Sequence, residues 1–87
     1  MANPLSQLER VERGREAKRL LNEPLIQQAL AEVDAGIIAQ WRAANDVETR
    51  ERLWAGLHAS RRVETWLVAV REDGAMAQAE IDQQPKG

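Results

Sequence analysis

Two segments with helical apolar spacing meet at a two-residue stop. Residues 24–44 and 47–73 each repeat apolar side chains every three to four positions, and Asn45-Asp46 stands between them. Joined by so short a link, two amphipathic helices pack against each other, so the spacing predicts an all-α chain built on an antiparallel helical hairpin over residues 22–74. A charged N-terminal arm, residues 1–21, precedes it as an additional helix, and residues 75–87 follow as a short C-terminal tail. A hairpin of this size buries little, so the expectation includes a partner surface and a homo-oligomer.

The boundaries come from helix start and stop chemistry. Pro24 disfavours the helical region for Glu23, which ends the first helix near Leu21. Pro24 also suits the first position of the next helix, with Asn22 or Glu23 as its cap. The stripe that follows is Ile26, Leu30, Val33, Ile37, Trp41 and Ala44, widened by Leu25, Ala29 and Ile38. Gly36 is small enough to mark a close approach of a second helix. Asn45 with Glu48 has capping-box spacing, and the third stripe reads Leu53, Leu57, Ser60, Val63 or Glu64, Leu67 and Val70. Asp73-Gly74 reads as the end of that helix, with Gly74 in the left-handed C′ conformation.

In the arm, Pro4 suits a first turn and Ser6 with Glu9 has the spacing of a capping box. Charges then alternate, and Glu9 with Arg13 forms an i,i+4 pair worth about 0.3 kcal/mol. Gly14 sits in mid-segment at a cost of about 1 kcal/mol. The expected result is a marginal helix, solvated unless something docks on it.

Composition narrows the function classes. The 87 residues include 12 basic and 14 acidic side chains, a net charge of −2, which is not the balance of a dedicated nucleic-acid binder. With no cysteine there is no disulfide framework and no cysteine-ligated metal, which fits a cytosolic or virion interior. No apolar run approaches the length of a membrane span, and Met1 to Ser6 lacks the apolar region of a signal peptide. No membrane partner is expected.

His58 is the lone histidine, and no second group at ligand spacing joins it, so it reads as a packing or solvent-facing residue. Glu48, Glu51, Glu64 and Glu72 alternate with arginines on one helix; carboxylate catalysis needs a pocket that shifts a pKa, and a solvated salt-bridged face is the simpler reading. No catalytic, cofactor or metal residue is assigned, and an enzyme is not expected. Arg10, Arg13, Arg15, Lys18 and Arg19 form the candidate DNA-binding set, because copies in an oligomer would multiply them into a positive band along a phosphate backbone. Against that, Glu9, Glu12 and Glu16 dilute the charge. Tryptophan is more often core than cofactor site and is also enriched at interfaces. Trp54 and Trp66, 12 residues apart, differ by about 120° around a helix, so they do not share one narrow seam. The candidate oligomer or partner interface is Trp41, Leu53, Trp54, Leu57, Trp66 and Leu67.

A resemblance rests on four short patterns. Leu20-Leu21-Asn22-Glu23-Pro24-Leu25, Ala39-Gln40-Trp41-Arg42 and Arg50-Glu51-Arg52-Leu53-Trp54 are the first three. The fourth is the close formed by Val63, Leu67, Val70, Asp73, Gly74 and Ala77. Over about residues 17–81 the chain resembles small helical proteins encoded by tailed phages and prophages. The resemblance implies a structural or packaging context with no catalytic residues, in the host cytoplasm during assembly and in the virion. Within it, the leading expectation is a small terminase-like protein: a non-enzymatic oligomeric adaptor between double-stranded DNA and the packaging motor. The alternatives are a virion adaptor or head-completion protein that binds only other phage assembly proteins, and a small phage regulator that captures a host protein.

Overall fold

A computed structural model describes residues 5–85. The described residues form three helices, α1 (Gln7–Leu21), α2 (Pro24–Ala43) and α3 (Val47–Asp82), and no strand. The all-α class expected from the periodicity holds. The chain divides into two compact units. Unit 1 is Met1–Leu21 with Trp66–Gly87, and unit 2 is Asn22–Thr65.

In unit 1, α1 opens with its capping pair in place. The Glu9 N–H donates to Ser6 Oγ at 3.1 Å, and the Ser6 hydroxyl donates to the Glu9 carboxylate at 3.2 Å. The Glu9 side chain is thus turned toward Ser6, and the expected Glu9–Arg13 pair does not form; Arg13 lies over the Trp66 ring instead. The expectation for Pro4 falls outside the described residues. The arm is not a bare solvated helix. Val11, Gly14 and Ala17 are buried along one side of α1, and Gly74 and Ala77 are buried on α3.

The two glycines explain this packing. A Cβ on Gly14 would lie 2.7 Å from the Gly74 Cα, and one on Gly74 would lie 2.6 Å from the Gly14 Cα. The backbones touch where neither helix carries a side chain. Gly14 therefore returns its cost in helix propensity as close helix contact. Gly74 corrects the expected boundary. No described residue has a positive φ, and α3 continues through Gly74 to Asp82, so most of the expected tail is helix. Asp-Gly looks like a stop because glycine can turn left-handed; here it is the missing side chain that matters.

Arg10 fastens the same crossing. Its Nε donates to both Asp73 carboxylate oxygens at 3.2 and 3.0 Å, and Nη2 donates to Oδ1 at 2.8 Å. Nη1 reaches Glu80 at 3.3 Å, and the Arg10 side chain is only 13% exposed.

Unit 2 pairs α2 with residues 47–65 of α3. Pro24 is at the start of α2, and Glu23 takes the N-cap position without a side-chain hydrogen bond. At the other end the Ala44 N–H donates to the Gln40 and Trp41 carbonyls. The cap of α3 falls one residue later than expected. Asp46, not Asn45, accepts the Thr49 N–H at 2.8 Å, because the first helical residue is Val47. Asp34 on α2 accepts from Arg61 on α3 at 2.8 and 3.2 Å.

The inward side of α2 also differs from the expected stripe. Ile26, Leu30, Asp34, Ile37 and Ile38 are half-buried, whereas Val33 is exposed. Asp34 is accommodated there because Arg61 meets its charge. No residue of α2 is fully buried, and Leu57 is the one buried side chain on this part of α3. Gly36 does not mark a close approach, since a Cβ there would meet nothing within 4 Å. Val63 and Glu64, the two candidates for one stripe position, are both exposed.

Candidate functional site

Unit 2 carries an exposed apolar surface around two tryptophans. Trp41 lies in the last turn of α2 and Trp54 two turns into α3, so the short 44–46 link brings them to one end of the helix pair. They line an open groove of about 240 Å³ with Ile37, Ile38, Leu53 and Leu57, flanked by Arg42 and Arg61. A shallower concavity of about 390 Å³ shares both rings and adds Val47, Arg50 and Glu51. Trp41 is 39% exposed, Trp54 54% and Val47 71%.

Each exposed ring is held locally. The Arg50 guanidinium lies 4.8 Å over the Trp41 ring while its Nε donates to the Ala44 carbonyl at 3.0 Å. That bond ties α3 to the cap of α2, and the cation–π contact orients the ring. His58 meets Trp54 edge-on with ring centroids 4.5 Å apart. Large rings fixed before contact lose little entropy on burial, which is the property of an interface anchor. Nearby, the hydrogen bond from Arg61 holds the Asp34 carboxyl below its ordinary range. The Thr49 backbone N–H does the same for Asp46.

The six expected interface residues fall in both units. Trp41, Leu53 and Trp54 come together, with Leu57 beneath them at 6% exposure, so Leu57 supports the groove and offers little surface. Trp66 and Leu67 belong to unit 1. There Trp66 is exposed with the Arg13 guanidinium 5.7 Å from its ring centroid, and Leu67 is half-buried.

The five arm cations are also divided. Arg10 is spent on Asp73 and Glu80, Arg19 pairs with Glu16, and Arg13 covers Trp66. Arg15 and Lys18 line a separate groove in unit 1 together with Arg71. Sequence reasoning passed over Arg50 and Arg71. Arg50 sits four residues past Asp46, within reach of the preceding helix end, and that was its signal. Arg71 had none, because its neighbours come from α1. His58 is exposed beside Trp54, and among the described residues no three His, Asp or Glu side chains cluster as a metal site would require. No described helix is long and apolar enough to cross a membrane.

No protein-family model, curated protein or solved structure matches the chain.

Proposed function

We propose that the protein is a non-enzymatic helical assembly protein that joins copies of itself, and through them other proteins, by the Trp41–Trp54 surface. One observation carries this reading: two large aromatic rings stand exposed but locally held on a unit that buries only Leu57. A second copy is the occupant that fits best. Arg42, Arg50 and Arg61 border the surface with Glu51, and Arg61 is already paired with Asp34, so the rim carries both signs, as a face that meets its own copy requires. The resemblance to phage-encoded helical proteins supplies the setting of head morphogenesis and packaging.

Mass in solution tests this. Wild-type chain measured by light scattering on a sizing column is expected to be an oligomer. A Trp41→Ser, Trp54→Ser variant is expected to be a monomer that keeps its helical circular dichroism. A wild-type monomer across the micromolar range would contradict the reading.

A small terminase-like role, with double-stranded DNA as a further partner, is the second reading. It is favoured by Arg15 and Lys18, the arm cations that make no hydrogen bond, ion pair or ring contact among the described residues. Loss of a DNA-induced mobility shift on raising the salt concentration, and with Arg15→Gln and Lys18→Gln, would support it.

A further inference from the structure

We propose that the groove where α1 crosses α3 in unit 1 seats a phosphate group. Its volume is about 490 Å³. Gly14, Gly74 and Ala75 line it without long side chains, and Arg15, Lys18 and Arg71 are also among its lining residues.

Arg15, Lys18 and Arg71 make no side-chain hydrogen bond or ion pair among the described residues, although Arg71 is half-buried. Elsewhere in unit 1 the arginines find partners, Arg10 in Asp73 and Glu80 and Arg19 in Glu16. Asp73, Glu80 and Glu16 are thereby engaged. Glu72 alone adds a negative charge to the groove, so three cations against one carboxylate leave a net charge of +2. That matches a doubly charged phosphate. Guanidinium forks and a lysine ammonium are the donors that phosphate oxygens take most strongly, and an anion relieves the mutual repulsion of the three cations.

The same chemistry is offered by free phosphate and by the phosphodiester backbone of nucleic acid. Amide NMR of the full chain, titrated with inorganic phosphate against chloride at matched ionic strength, tests the site. Saturable shifts at Gly14, Gly74 and Ala75 are expected with phosphate only. Arg71→Gln and, separately, Lys18→Gln are expected to weaken binding about tenfold or more, as loss of one charged hydrogen bond does. Arg62→Gln in unit 2 is expected to change nothing. Shifts that equal those in chloride, or that survive Arg71→Gln and Lys18→Gln with helicity intact, would overturn the proposal. A parallel titration with a short DNA duplex names the source. Tighter binding than phosphate, lost in Arg71→Gln, supports the backbone; shifts with phosphate and none with duplex support a free phosphate.

Discussion

Unit 1 and unit 2 each set a helix against a stretch of α3, yet they solve the problem of burial differently. In unit 1 the helices approach until backbone meets backbone at Gly14 and Gly74, small residues fill the contact, and Arg10 clamps it to Asp73 and Glu80. Little apolar bulk is needed, because the gap is small. In unit 2 the larger side chains sit between the helices, Gly36 and Gly56 face open space, and Trp41 and Trp54 stand exposed. A pair of helices can thus be closed by proximity or left open by bulk. The second arrangement gathers two rings at one end of its helix pair, which suits it to a protein partner.

The largest expected effect tests how little unit 2 holds in reserve. Leu57→Ala removes its one buried side chain and is expected to cost about 2–4 kcal/mol, read by urea unfolding with tryptophan fluorescence. A loss under about 1 kcal/mol would mean that unit 2 does not rest on Leu57.

The glycines break the comparison in opposite directions. Gly14→Ala and Gly74→Ala each gain about 1 kcal/mol of helix propensity. The added methyl group meets backbone, which yields only if the helices separate, so overpacking of about 1–3 kcal/mol outweighs the gain. Gly36→Ala and Gly56→Ala meet nothing and are expected to stabilise by up to about 1 kcal/mol. Thermal unfolding by circular dichroism distinguishes the two pairs, and stabilisation by Gly74→Ala would contradict the close crossing.

The smallest effect is acid sensitivity. Hydrogen bonds from Arg10 hold Asp73 below its ordinary pKa, and those from Arg61 do so for Asp34. A lowered folded-state pKa stabilises above the unfolded value, and that stability is lost as pH falls through the folded value. Asp73→Asn is expected to flatten this acid-side loss more than Asp34→Asn. Arg10 is 13% exposed and makes several bonds, whereas Arg61 is 54% exposed and more screened. Equal flattening in the two variants would remove this difference between the units.

Local chemistry was readable from the residues, and tertiary contact was not. Pro24 and the Ser6–Glu9 cap marked helix starts correctly, because each acts within one turn. Asp46 in place of Asn45 is a one-residue ambiguity between two good capping residues. The 73–74 boundary failed for a stronger reason. Asp-Gly has the same local signature as a helix stop or as a crossing point, and only α1 lying against it selects the second. For the same reason the arm residues could be listed as cations but not sorted into those clamped, stacked or left open. Around Trp41 and Trp54 the apolar residues were visible in the pattern, while Arg50 as their link to the α2 cap required the fold.

Hydrogen exchange by mass spectrometry, followed over a range of protein concentrations, tests most directly whether unit 2 is completed by a second copy. Amides of residues 24–43 and 47–65 are predicted to gain protection as concentration rises, while those of α1 and residues 66–82 stay constant. Protection in unit 2 that is high and independent of concentration would show that the helix pair is complete without a partner and would contradict the account.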